Sequence, residues 1–164
     1  MHIRPITIDE IPAWRRTMLD TFGIDHDVDP IGVERLQALV DLSRAFGAFE
    51  GTAIVGTAAA FDFELTVPGG SVPMSGLTMV AVHPTRRRRG VLRALMAAHL
   101  EAARAHGDPL SGLFASEATI YGRFGYGVAV ESDSLTFTTS GARIAENLIR
   151  DEVDRLEDPA EVVP

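Results

Sequence analysis

Four consecutive arginines, Arg86 to Arg89, followed at once by Gly90, are the strongest chemical signal in the sequence. They stand in a chain of formal net charge −8, so they make one local anion site on a protein that otherwise repels anions. Gly76 to Val82 ahead of them is nearly all apolar, as a strand buried on both faces would be. Gly90 to Ala105 behind them holds Leu92, Leu95, Met96 and Leu100 at helical spacing, and His106-Gly107 ends the run. The unit reads strand, basic turn, glycine, helix. A helix N-terminus presents unpaired N–H groups and about half a positive charge, which suits a phosphate. Glycine lets the backbone approach a diphosphate, and arginines add bidentate, charge-assisted hydrogen bonds. From the arginine run alone, a solvated basic turn is an equal reading. Nucleic acid and a phosphopeptide are further anions, and the lack of a second basic segment argues against both.

The elements that must position this turn follow from the pattern on either side. Met1 to Ile6 reads as a first strand. Asp9 and Glu10 open a helix running to about Phe22, Gly23 to Pro30 is a loop, and Ile31 to about Val40 is a second amphipathic helix. Ala45 to Phe49 and Ala53 to Leu65 form a long hairpin, and Val67 to Pro73 is a turn before the fourth strand at Gly76. Beyond the central helix, Leu110 to Ala115 is a fifth strand, Thr119 to Phe124 a short helix, and Val128 to Phe137 a last strand or two. The order predicts an α/β (α+β) fold around one mixed sheet with a parallel crossover through the central helix.

The totals fit one domain with a real core. The chain has 164 residues, 46% hydrophobic and 23% charged. No apolar run approaches the roughly 20 residues that cross a bilayer, the N-terminus lacks a signal-peptide layout, and there is no cysteine. These absences fit a cytoplasmic protein without membrane partners, and the net charge of −8 argues against a nucleic-acid partner. All 15 basic residues are arginine. The histidines at 26, 83, 99 and 106 show no metal-ligand spacing with carboxylates, and no metal is expected.

Val80-Ala81-Val82-His83-Pro84-Thr85-Arg86-Arg87-Arg88-Arg89-Gly90-Val91-Leu92-Arg93 resembles the cofactor motif of the GNAT superfamily of N-acetyltransferases, [Q/R]-x-x-G-x-[G/A]. Arg87 and Gly90 match its first and fourth positions, and Leu92 replaces the small residue at the sixth. Ala115-Ser116-Glu117-Ala118-Thr119-Ile120-Tyr121-Gly122-Arg123-Phe124-Gly125-Tyr126-Gly127 is similar to the signature of the Eis (enhanced intracellular survival) branch, which tolerates a larger residue at Leu92. Leu65-Thr66-Val67-Pro68-Gly69 and the Gly76-Leu77 start of the fourth strand match that branch too. The resemblance covers about Ile3 to Phe137.

What the resemblance implies is a mostly antiparallel, twisted sheet with helices on both faces and splayed fourth and fifth strands. Acetyl-CoA is the acetyl donor. Met79, Val80 and Val82 would contact the pantetheine, largely through main-chain groups. Arg87, Arg88, Gly90 and Val91 would wrap the diphosphate, and Ser116 would lie near the cofactor. Tyr121 occupies the position of the general acid. A phenol with a pKa of about 10 is protonated at neutral pH and can reprotonate a departing thiolate, which supports that role on separate grounds. A packed tyrosine is the plain alternative, and Tyr126 is the rival. The acceptor is a small-molecule or lysine amine. Asp25, Asp27, Asp29 and Glu117 are candidates to attract it as an ammonium, and for the loop carrying the aspartates a solvated polar turn is an equal reading.

The expected organisation is an acetyltransferase domain over 1–140 and a C-terminal extension over 141–164. Val153 to Glu161 resembles the start of the second domain of Eis-type proteins, whose terminal carboxylate acts as a base, while Ala142 to Arg155 also fits a free helix. A homo-oligomer is open on this reading. Two functions follow: an N-acetyltransferase acting on an aminoglycoside, polyamine or lysine side chain, or a domain that binds acetyl-CoA with little turnover. An anion-binding module unrelated to acyl-CoA is a third and weaker reading.

Overall fold

The computed structural model describes residues 1–25, 30–131, 134 and 136, with the backbone alone for 30–33. Two compact units divide the chain, Met1–Val128 and Ala129–Pro164. Nearly all of the second, with the extension expected over 141–164, lies outside the described residues. So do Asp27 and Asp29.

The first unit is one five-stranded sheet in the order β1-β2-β3-β4-β5, built from β1 (His2–Pro5), β2 (Ala45–Glu50), β3 (Ala53–Val67), β4 (Gly70–Val82) and β5 (Leu110–Gly112). The first four strands pair antiparallel, and β4 pairs with β5 in parallel. Three helices complete it: α1 (Ile11–Phe22), α2 (Pro30–Leu39) and α3 (Val91–His106). Successive side chains of a strand point to opposite faces, and the core divides accordingly. Ala59 joins Ile11, Trp14 and Leu36 on the side of α1 and α2, while its neighbour Ala58 joins Val91, Leu95 and Met96 on the side of α3. Helices therefore cover both faces. Trp14, fully buried, ties α1 to the sheet by donating its indole N–H to the Phe46 carbonyl at 2.8 Å.

Four elements differ from the sequence expectation. The turn expected over Val67 to Pro73 shrinks to Pro68-Gly69, with Gly69 at a left-handed φ of 91°, and β4 starts at Gly70. Pro73 is tolerated there because β4 is still an edge strand, unpaired with β5 until Met74. The short helix expected over Thr119 to Phe124 is two 3-10 turns, Ala118–Ile120 and Gly122–Phe124, split at Tyr121 and ended by Gly125 at φ 93°. Glycines at 122 and 125 weaken a continuing helix. The fifth strand stops at Gly112 rather than Ala115. Of the last expected strand, Val128 to Glu131 are not paired, and most of the rest lies outside the described residues.

Candidate active site

The short fifth strand shapes the site. β5 meets β4 only at Met74↔Leu110, Ser75↔Ser111 and Gly76↔Gly112, while β4 stays paired to β3 as far as Val82. Among the described residues no strand covers the other edge of β4 from Leu77 onwards, so its backbone groups are open to a ligand. This is the splay expected of the fourth and fifth strands.

A β-bulge lies on that open stretch. Thr57 pairs with Ala81 and Ala59 with Thr78, which sets Met79 and Val80 together against Ala58. Met79 has a φ of 54°, and the buried Thr57 hydroxyl donates to its carbonyl at 2.7 Å. A bulge turns the strand and re-aims its groups. Met79 packs towards the α1 face, and Val80 and Val82 towards the α3 face. The alternation of the apolar run hides such a bulge, since the extra residue is apolar too.

Beyond Val82 the chain enters a 3-10 turn, Pro84–Arg86, and then α3. The four arginines separate in role. Arg86 donates to Glu50 at 2.7 Å, and that hydrogen bond holds the Glu50 carboxyl below its usual pKa. Arg87, Arg88 and Arg89 are exposed. Arg88 at φ 61° and Gly90 at φ 80° adopt left-handed conformations, and Gly90 caps α3 without a side-chain hydrogen bond. Nothing lies within 4 Å of a Cβ built on Gly90, so glycine is called for there by backbone angle and not by crowding. The first-turn N–H groups of α3, beginning at the buried Val91, thus meet no capping side chain. Crowding decides instead at Gly56, where a Cβ would stand 2.8 Å from Val91 Cγ1 and 3.1 Å from the Ala81 carbonyl oxygen. That glycine lets α3 sit close on the sheet beside the open edge.

Tyr121, Phe124 and Tyr126 pack against the same buried cluster as Val80, Val82 and Leu92, which brings the phenols to the seam of β4 and α3. The two tyrosines are stacked edge to face, 6.0 Å between centroids. Burial raises both phenols above their ordinary pKa, so both are protonated at neutral pH. Their hydroxyls differ. Tyr126 OH lies 2.7 Å from Ser111 Oγ, whereas Tyr121 OH makes no hydrogen bond among the described residues. Ser116 and Glu117 are exposed in the loop after β5, Ser116 four positions past the strand's end at Gly112. Asp25 is exposed just past the C-terminal end of α1. Among the described residues no group of three or more His, Asp or Glu could hold a metal ion. No helix among them is long and apolar enough to cross a membrane.

Sequence reasoning missed the polar side chains at the closed end of the seam. Arg44, with 4% of its side chain exposed, forms ion pairs with Asp62 and Asp108 and donates to Ser75 Oγ at 2.6 Å. Burial pushes the Asp108 carboxyl up, but hydrogen bonds from His106 and Arg44 outweigh it and hold the pKa below the usual value. Ser111 Oγ donates to the Ser75 carbonyl at 3.0 Å and lies 2.9 Å from Nε2 of the buried His99. No spacing signal links positions 44, 62, 75, 108 and 111. Only the sheet register brings them together.

Residues 2–129 match the family model of the acetyltransferase (GNAT) domain. An uncharacterized N-acetyltransferase of Streptomyces avermitilis is 44% identical over 146 residues, which is 87% of this chain and 35% of that protein. The N-acetyltransferase Eis of Mycobacterium tuberculosis is 49% identical over 98 residues, 59% of this chain and 24% of its own. The chain thus spans about a third or less of the length of these two relatives. The crystal structure of Eis1 from Mycobacterium abscessus superposes with a TM-score of 0.68 at 33% identity, covering 77% of this chain and 32% of that one. A predicted acetyltransferase of Clostridium acetobutylicum solved with acetyl-CoA, 19% identical, shares the fold at a TM-score of 0.66 over 82% of this chain and 95% of its own. With the open β4 edge, the uncapped α3 and these matches in hand, the chain belongs to the GNAT family of N-acetyltransferases and is Eis-like within it.

Proposed function

We propose that this chain transfers acetyl from acetyl-CoA to a primary amine by direct attack of the amine on the thioester. The observation that carries the reading is the edge of β4 from Leu77 to Val82, unpaired among the described residues and running straight into an uncapped helix N-terminus flanked by exposed arginines. An extended chain bearing amides can pair with the edge, and a diphosphate suits the helix end. The residues present fit acetyl-CoA on both counts.

In this reading the backbone of Met79, Val80 and Val82 holds the pantetheine. The N–H groups at Gly90 and Val91 hold the diphosphate, with Arg87 and Arg88 adding charge-assisted hydrogen bonds. Ser116 lies near the cofactor from the loop after β5. Acetyl-CoA supplies a thioester whose sulfur leaves as a thiolate and needs a proton. Tyr121 supplies it. Its phenol is protonated, half-buried and not committed to a protein acceptor among the described residues, whereas the Tyr126 hydroxyl is engaged with Ser111. Asp25 and Glu117 draw the acceptor ammonium towards the site; it releases one proton to solvent to attack as the free amine, and the second N–H proton shed as the amide forms replaces the one Tyr121 gives to sulfur. The acceptor class is a small-molecule amine or a lysine side chain.

The test is thiol release from acetyl-CoA by the purified chain across a panel of amines including a multi-amine aminoglycoside. Because the chain contains no lysine, transfer to a protein acceptor can be read without side-chain self-acetylation. Release above hydrolysis supports the reading. Acetyl-CoA that raises the melting temperature without any release would replace it with a cofactor-binding lobe.

A further inference from the structure

Five residues, Tyr121 to Gly125, loop back so that a second tyrosine closes on the first. Gly125 at φ 93° makes the return, and the Tyr121 carbonyl accepts the backbone N–H of Phe124 at 2.9 Å and of Tyr126 at 3.4 Å. The rings then meet at an interplanar angle of 69°. Tyr126 is the anchored member of the pair. Its hydroxyl sits on Ser111 Oγ, which also contacts His99 Nε2 and the Ser75 carbonyl.

Counting protons orders this chain. A carbonyl can only accept, so the single Ser111 proton goes to Ser75. The two lone pairs of Ser111 then receive the Tyr126 O–H and the His99 Nε2–H. That needs a neutral imidazole protonated at Nε2, and burial in the α3 face keeps His99 neutral, with a pKa lowered to about 4. The Tyr126 proton is thereby committed to Ser111. All three donors are used once and the network is closed.

We infer that Tyr126 is a positioning residue: Ser111 and His99 fix its phenol, and its ring edge in turn sets the orientation of Tyr121. The inference deepens the proposed function and rests on Tyr121 as the acid. Ser111 has no hydrogen bond to Tyr121 among the described residues, and the Tyr126 phenol is the group that contacts both, by hydrogen bond and by ring packing.

The chain has two tyrosines, which makes a direct test simple. With carbon-13 at the phenol carbon of tyrosine, the protein gives two signals, and Tyr121→Phe assigns them. Ser111→Ala should shift the Tyr121 signal, and Ser111→Thr, which keeps the hydroxyl, should restore it. A Tyr121 signal that stays put in Ser111→Ala overturns the inference. Should Ser111→Ala not fold, Tyr126→Phe serves, since its one remaining signal is Tyr121 and should move from its wild-type position. Kinetics give a second arm. Tyr126→Phe should lower kcat about three- to tenfold with the KM for acetyl-CoA unchanged. In a Tyr121→Phe background the same change should leave the residual rate as it is, because its effect runs through Tyr121. An equal fall in both backgrounds would mean a merely structural role and would sink the proposal. A protein with no turnover at all removes the acid role of Tyr121, and the carbon signals still decide whether Tyr126 sets it.

Discussion

The two ends of the β4–β5 seam are built on opposite rules. At the closed end, Ser75 and Ser111 face each other across the pairing, and Arg44, Asp108, His99 and Tyr126 join them in a continuous set of hydrogen bonds. At the open end, the β4 backbone, the first turn of α3 and three arginine side chains face outwards. A buried polar group without a partner is destabilising by about 1–3 kcal/mol, so the closed end holds together only if nearly all of its groups are matched. Arg44 Nε is the exception there. Donors left free at a solvated edge lose little, because water serves them until a ligand does. The fold thus fixes the strands at one point and leaves them apart where an acyl-CoA would pair.

The largest effect should come from breaking the closed end. Arg44→Leu strands the buried Asp108 carboxylate and should lower unfolding stability by about 3–5 kcal/mol in urea titrations. A loss below about 1 kcal/mol would show that the cluster is incidental. At the open end the signature reverses. Arg87→Ala or Arg88→Ala should each weaken acetyl-CoA binding by about tenfold or more in calorimetry while leaving the melting temperature nearly unchanged. Arg86→Ala should disturb the turn through Glu50 and bind acetyl-CoA closer to wild type. Gly90→Ala sits between the two, since a left-handed φ of 80° disfavours alanine by about 1–2 kcal/mol and moves the N–H groups as well.

The last effect is a pH dependence. His99 is harder to protonate in the folded chain, at about 4, than in the unfolded one, at about 6.5. The unfolded state therefore binds more protons between those values, and stability present above pH 6.5 is lost as the pH falls towards 4. His99→Gln, whose amide can still donate to Ser111, should flatten the melting temperature across that window. The carboxylates act lower, because Glu10, held at about 2 mainly by Arg4, loses its contribution only below the ordinary Glu range. An unchanged slope between pH 6.5 and 4 in His99→Gln would place the titrating group elsewhere.

Legibility in the sequence divides along the same line. The open end is local: strand, arginines, glycine and helix are consecutive, so Val80 to Leu100 could be read from periodicity and turn chemistry. Tyr121 came from a contiguous motif. The closed end draws on positions 44, 62, 75, 99, 108, 111 and 126, on strands, turns and α3 that meet only through sheet register and helix packing, and no one-dimensional pattern marks them. The same reason hid the bulge at Met79 and the early stop of β5 at Gly112, since both depend on what a neighbouring strand does. Asp25 and Glu117 are candidates as charges that could attract an ammonium, and both are exposed.

Cofactor binding and proton delivery thus sit on separate parts of one seam in the proposed function. Steady-state thiol release by Arg87→Ala and Tyr121→Phe, measured side by side with one amine, is the decisive measurement for this claim. Arg87→Ala should raise the KM for acetyl-CoA with kcat kept. Tyr121→Phe should lower kcat about a hundredfold or more with that KM kept. If both variants move the same parameter, or if Tyr121→Phe turns over like the wild type, the claim is contradicted.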